Sequence, residues 1–338
     1  PDLMAGRVPF QQWGEHWLDT RRVRNKTTKD YKGILNNHLY PEFGRVPIGS
    51  ITRSDVSKFI TKKLNSGTKE GTVTNIRRVF SMVLIEAMRS GAIPRNPADG
   101  VNVKRSKRDE MVFLSRAQVA ILADRISNPI IRSTRYGKNF KPYYPELGFR
   151  VRFVSETGLR AGEVAALRVG DCDLVRNRVN VCRSATEVSF AESPDGLIYE
   201  ETKTYETRSV PLSKSIANEL KDYLSGRPKE RNTLVFTSVE GEPVHHSNFY
   251  ARHFVKAVEQ SIDKDGNRLL PIETRFHDLR HTYATLLIAA GANPLTVKER
   301  MGHSSITVTM DRYGHLFPHL EEEITEKMDR AYREANQK

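Results

Sequence analysis

Five short segments carry side chains of the kinds needed to break and remake a phosphodiester. They are Thr157-Gly-Leu-Arg-Ala-Gly-Glu163, Thr202-Lys-Thr204, His277-Asp-Leu-Arg-His-Thr282, Met301-Gly-His-Ser-Ser305 and Asp311-Arg-Tyr-Gly-His315. A phosphodiester displaced in line gathers negative charge on its non-bridging oxygens. A guanidinium donates two parallel hydrogen bonds to such oxygens and stays charged at any relevant pH. Two arginines with a histidine can therefore form an electrophilic clamp where other sites use a metal. A phenol, with a reference pKa of about 10, needs help to lose its proton; nearby positive charge lowers that pKa and a histidine can accept the proton. The leaving sugar alkoxide is a stronger base than phenoxide and needs an acid, which a lysine at a hairpin tip can supply.

Singly, most of these residues have plainer readings. Arg160 with Glu163 three residues on reads as a surface ion pair, Lys203 as a hairpin charge and Tyr313 as a packed aromatic. His277 and His281 stand one helical turn apart, as in a zinc helix, but Asp278 occupies the place where HExxH requires glutamate. His281 and His315 are expected to serve helix packing or local hydrogen bonding. The adjacent His245 and His246 cannot share a helix face and are read as structural.

The elements that must position these groups begin with helices over residues 9–98. Phe10, Trp13, Trp17 and Leu18 follow helical spacing, and Thr27 would cap a second helix through Leu39. Ser50-Ile-Thr-Arg-Ser-Asp55 reads as a cap before the helix carrying Val56, Phe59, Ile60 and Leu64. Val73, Ile76, Val79, Phe80, Val83, Leu84 and Ala87 mark an amphipathic helix stopped by Gly91 and Pro94. A small bundle over residues 1–98 is predicted. Residues 99–110 turn abruptly polar, and Lys104, Arg105, Lys107 and Arg108 make them a basic linker that could lie along a phosphate backbone.

Residues 111–317 mix helices and strands. Ser115 should cap a helix to Ile126, a loop or insertion fills 127–145, and helices run to Thr157 and from Ala161 to Leu167. Arg178–Arg183, Leu197–Glu201 and Ser209–Leu212 alternate as strands, predicting a small antiparallel sheet with a turn near Lys203. Cys182, alternating with Val181 and Val179, reads as a buried thiol. Further helices are expected at 213–225, 247–260, 278–290 and 294–301. Residues 318–338 form a last amphipathic helix, with Leu320, Ile324 and Met328 at every fourth position after acidic Glu321–Glu323.

Composition narrows the partners. The chain has 338 residues, 38% hydrophobic, with 54 basic and 41 acidic side chains, net +13. The excess is uneven: residues 1–110 hold 21 basic against 11 acidic (+10), residues 111–338 hold 33 against 30 (+3). So concentrated a basic field attracts a polyanion. Mean hydropathy is −0.55, and no apolar run approaches the ~20 residues of a membrane span. Two cysteines are too few for a disulfide framework or a cysteine metal site, which fits the cytoplasm. No P-loop sequence and no signal peptide occur. With Pro1 at its start, the chain is expected to be trimmed or taken from a longer protein.

In this order and spacing the five segments resemble the tyrosine recombinase (phage integrase) family, and the resemblance covers nearly the whole chain. It implies a mainly α fold with a small antiparallel β-sheet: a helical-bundle core-binding domain and a mixed α+β catalytic domain. It also implies roles. Arg160 and Arg280 match the arginines that hold the scissile phosphate, and Lys203 the lysine that protonates the leaving oxygen. His277 and His303 match the positions that assist proton transfer and bind phosphate oxygens, Tyr313 the nucleophile and Glu163 a supporting carboxylate. No metal or other cofactor is implied. The expected partners are double-stranded DNA with core-type attachment sites, further copies in a homotetramer and, as an accessory, a host DNA-bending factor; the expected place is the bacterial cytoplasm, at the nucleoid. The flavour is that of actinobacterial phage integrases. Many phage integrases carry a further N-terminal domain that binds arm-type sites; with the core-binding helices beginning almost at once, that domain is expected to be either cut away or never present. The alternatives are a type IB topoisomerase, a non-catalytic DNA-binding regulator and, more remotely, a zinc hydrolase.

Overall fold

The computed structural model describes residues 4–23, 25–103, 111–129, 143–201, 207–238, 240–317 and 321–335. The chain divides into two compact units, residues 1–110 and 111–338.

The first unit is built from α1 (Phe10–Asp19), α2 (Asn25–Ile34), α3 (Tyr40–Phe43), α4 (Arg53–Asn65) and α5 (Glu70–Arg89). On α5, Val73, Ile76, Val79, Phe80, Val83, Leu84 and Ala87 are all buried, as their spacing predicts. Phe80 sits at the centre, edge-on to Phe10 at 5.0 Å and tilted against Phe43 at 4.7 Å. Thr52 caps α4 through a reciprocal pair: its hydroxyl accepts from the Asp55 N–H, and the Asp55 carboxylate accepts from the Thr52 N–H. The second helix departs from expectation. It begins at Asn25, two residues before Thr27, and passes into a π-helical turn over Leu35–Leu39. That widened turn falls just before Pro41, whose missing N–H and bulky ring disfavour a regular turn there.

The second unit opens with α6 (Arg116–Ser127), capped by Ser115 in a reciprocal pair with Gln118, which packs on α7 (Pro145–Thr157). After α8 (Ala161–Ala165) come β1 (Cys172–Asp173), β2 (Arg178–Val181), β3 (Arg183–Glu187), β4 (Leu197–Glu201) and β5 (Arg208–Pro211). These form two antiparallel sheets, not one. β1, β2 and β5 pair in that order with Val179 opposite Val210, while β3 pairs with β4, Arg183 opposite Glu201. The strand expected over Arg178–Arg183 therefore breaks at Cys182, where the chain changes pairing partner. Cys182 is half-buried, not a core thiol. Its pKa is raised, by burial and then by Asp171.

The helices α9 (Lys214–Ser225), α10 (His246–Phe249), a π turn over Tyr250–Phe254, α11 (Val255–Gln260), α12 (Asp278–Ala289), α13 (Pro294–Met301) and α14 (Ile306–Tyr313) complete this unit. Its main core gathers Leu122, Phe149, Phe153, Val164, Val179, Val210, Leu220, Phe254 and Leu279. A smaller cluster joins Tyr283, Val297, Met301 and Tyr313. Seven successive residues of α12, Asp278 to Ala284, are buried, so this helix carries charged groups into the interior. α15 (Glu321–Ala335) follows; Leu320 and the Ile324 side chain lie outside what is described, and Met328 is 69% exposed. No helix among the described residues is long and apolar enough to cross a membrane.

Deleting a ring from a close-packed core costs its transfer energy plus the cavity left behind. Phe80→Ala should destabilise the protein by about 3–5 kcal/mol and Thr52→Ala by only about 1 kcal/mol, read from urea unfolding.

Candidate active site

α7 ends where Gly158 turns left-handed, at φ +64°; a Cβ there would lie 2.4 Å from the Tyr283 ring. This turn delivers Arg160 to the N-cap of α8. The Glu163 carboxylate accepts from the Arg160 N–H at 2.8 Å and from its guanidinium at 2.8 Å. It also accepts two bonds from Arg208, at 2.8 and 2.6 Å. Burial alone would raise the Glu163 pKa, but the hydrogen bonds and charges of Arg208 and then Arg160 prevail and hold it at about 2. Arg208 was not singled out in the sequence. Its Nε donates to the Arg300 carbonyl, so it ties the α8 turn to the end of α13.

Arg160 and Arg280 meet through main-chain carbonyls. Arg160 donates to the Gly302 carbonyl at 2.8 Å, and Arg280, 2% exposed on α12, donates to the carbonyls of Gly158 and Met301. Burial, then Arg160, lowers the Arg280 pKa to about 9, which leaves it cationic at neutral pH.

The aromatic groups complete the cluster. His277, at the N-cap of α12, stands perpendicular to His281 with ring centres 4.9 Å apart. His303 is buried, its Nδ1 2.9 Å from the Thr309 hydroxyl, and its ring lies parallel to that of Tyr313 at 6.3 Å. Tyr313 is fully buried at the end of α14, with its hydroxyl 2.6 Å from His281 Nδ1. Desolvation, then Arg280, takes His277 down to about 4 and His303 to about 3. The Tyr313 pKa is raised: burial outweighs Arg280 and Arg312, opposite to the sign expected from neighbouring positive charge alone.

Arg160, Glu163, His277, Arg280, His303 and Tyr313 are thus brought together from segments up to 153 residues apart. Lys203 lies outside the described residues, between β4 and β5, and so do Lys104, Arg105, Lys107 and Arg108. His281 was read as a packing or locally bonded residue; it does form a hydrogen bond, to Tyr313. Its position one turn after His277 was the available signal. Asp278 is fully buried and accepts from the Arg275 N–H at 2.7 Å. Among the described residues no group of three His, Cys, Asp or Glu side chains is arranged to hold a metal ion.

Residues 146–319 match the phage integrase family, and residues 9–64 match the phage integrase N-terminal SAM-like domain. The ICEBs1 integrase of Bacillus subtilis is 28% identical over 304 residues, covering 89% of this chain and 77% of that protein. The transposase from transposon Tn916 of Enterococcus faecalis is 24% identical over 305 residues, 87% of this chain and 70% of that one. Among solved structures, the Tn1549 transposon integrase in complex with a circular intermediate DNA superposes with TM-score 0.77 at 21% identity, over 96% of this chain and 99% of that one. A lambda integrase tetramer bound to a Holliday junction gives TM-score 0.64 at 16% identity, over 89% and 79%. The fold is that of the tyrosine-recombinase integrases, a helical N-terminal unit followed by a catalytic one. The chain belongs to the phage integrase family, enzymes of DNA strand transfer in site-specific recombination.

Glu163 supplies a pH test. With its folded pKa near 2 and an ordinary value of 4.5, its contribution is complete above about pH 5 and is lost as pH falls through 2. That contribution is about 3 kcal/mol in order of magnitude. Glu163→Gln should remove most of it at pH 7 and flatten the loss of stability between pH 5 and 2, measured by denaturant unfolding across pH.

Proposed function

We propose that this protein cuts DNA by attack of the Tyr313 hydroxyl on a phosphodiester, forms a 3′-phosphotyrosine and rejoins the strand to a new partner through a Holliday junction. The observation that carries the reading is a buried tyrosine whose hydroxyl meets His281, whose ring lies parallel to that of His303 and which feels the charge of Arg280, groups drawn from distant segments. Arg160 and Arg280 hold the non-bridging oxygens, each retaining N–H groups beyond those engaged with carbonyls. His277 and His303 add donors to the same oxygens. Lys203 protonates the departing 5′ oxygen, and Glu163 fixes the direction of Arg160. The phosphotyrosine ester conserves the energy of the broken bond, so rejoining draws on no nucleotide.

The substrate is double-stranded DNA with core-type sites, gripped by the basic N-terminal unit and by Lys104, Arg105, Lys107 and Arg108. Integration or excision of a mobile element is the natural outcome, in keeping with relatives named as an integrase and a transposon's transposase. The working form is a homotetramer on two duplexes in the bacterial cytoplasm, with a host DNA-bending factor as an accessory; a lambda integrase tetramer on a Holliday junction is the supporting precedent. The exposed Met328 on α15 suits docking of that helix on a neighbouring copy.

Incubation with nicked attachment-site DNA should give a covalent protein–DNA adduct with the wild type and none with Tyr313→Phe, read on a denaturing gel. An adduct persisting in the variant would refute the assignment. Removing residues 318–338 should weaken synapsis and junction formation more than binding to a single core site in mobility-shift assays. Unchanged recombination by the truncated chain would sink the docking role.

A further inference from the structure

The hydroxyl of Tyr313 does not point at either of the histidines to which the family resemblance gives a proton-handling part. His303 has its Nδ1 engaged with Thr309 and lies parallel to the tyrosine ring, while His277 stands perpendicular to His281. The hydroxyl instead sits 2.6 Å from Nδ1 of His281, which is 5% exposed on α12. We propose that His281 is the base for the nucleophile: its Nδ1 takes the phenolic proton as Tyr313 attacks DNA and returns it when the strand is rejoined. This rests on the assignment of Tyr313 as nucleophile.

The surroundings favour that use. The groups facing the imidazole are His277, Arg280 and Arg275 from its own segment, and Arg312 and Tyr313 from α14. Burial, then His277 and these arginines, lowers the His281 pKa to about 4. The ring is therefore neutral at physiological pH, and in the tautomer with its proton on Nε2 it offers a lone pair at Nδ1 to the phenolic O–H. Tyr313, raised by burial, does not ionise unaided. A phosphodiester arriving between Arg160 and Arg280 brings negative charge, which makes the imidazole more basic as attack begins. In the forward step the Oη–P bond forms, the P–O5′ bond breaks, the phenolic proton moves to Nδ1 and the 5′ oxygen takes a proton from the acid assigned to Lys203. In the reverse step the 5′-hydroxyl attacks and gives its proton back to Lys203 as the P–O5′ bond forms, the Oη–P bond breaks and Nδ1 returns its proton to the phenoxide.

The test is single-turnover cleavage of nicked DNA by the full chain, with an ordinary 5′ oxygen or a bridging 5′ sulfur at the scissile bond. A thiolate leaves without an acid, so sulfur relieves a defect in the acid but not one in the base. His281→Ala should cleave about 10²–10⁴-fold more slowly on both substrates while binding duplex DNA normally, with partial recovery on adding imidazole. His281→Asn keeps an acceptor near Nδ1 without basicity; it should be similarly slow, and it carries the test if the alanine variant fails to fold. Cleavage by these variants within about threefold of wild type, or faster, overturns the proposal. So does a deficit that sulfur erases, which would make His281 part of the acid, or full activity in the asparagine variant, which would reduce it to a positioning hydrogen bond. An adduct in Tyr313→Phe, or none with wild type, overturns the underlying assignment as well; a normal wild-type adduct with an indifferent His281 overturns only this one.

Discussion

The carboxylate of Glu163 holds Arg160 and Arg208 together at 2.6–2.8 Å, and most of the catalytic unit depends on that one negative charge. Arg208 and Arg280 lie largely out of water with the partly exposed Arg160 beside them, and like charges so placed repel. Breaking a buried pair by removing one partner leaves charge uncompensated, commonly at a cost of about 3–5 kcal/mol. Glu163 offsets one unit of that charge, shared between Arg160 and Arg208. The third, Arg280, is held by the carbonyl dipoles of Gly158 and Met301. The cluster therefore retains positive charge in the absence of a ligand, and an anionic phosphate is its natural complement.

The same field sets the protonation of the histidines. His277, His281 and His303 are all pushed well below the ordinary imidazole value, first by desolvation and then by charged neighbours. Tyr313 moves the other way because burial in its pocket outweighs the arginines. Tyr313 and the three histidines are thus all uncharged at neutral pH.

Much of this was legible in the chain, and what was not has physical causes. Helix limits at 116–127, 278–289 and 294–301 follow from caps and periodicity that act over a few residues. Arg160 with Glu163 was readable because the pair lies within one turn. Arg208 was not, since its bond to Glu163 spans 45 residues and its strand carries no local mark of it. His281 sat in plain view one turn from His277, but its partner is 32 residues away. The break at Cys182 escaped because alternation continues through it while the pairing partner changes. The π turns at Leu35–Leu39 and Tyr250–Phe254 are too short to shift a hydrophobic period. The sign of the Tyr313 shift needed its burial, which no motif states.

Gly158, Met301 and Gly302 give Arg160 and Arg280 carbonyl oxygens, which every amino acid possesses. The main-chain part of this anchoring does not depend on which side chain stands at position 301, provided the turn at Gly158 and the Glu163 carboxylate are kept. For protein engineering this marks Gly158 and Glu163 as the positions to keep when the side chains around the arginine cluster are redesigned.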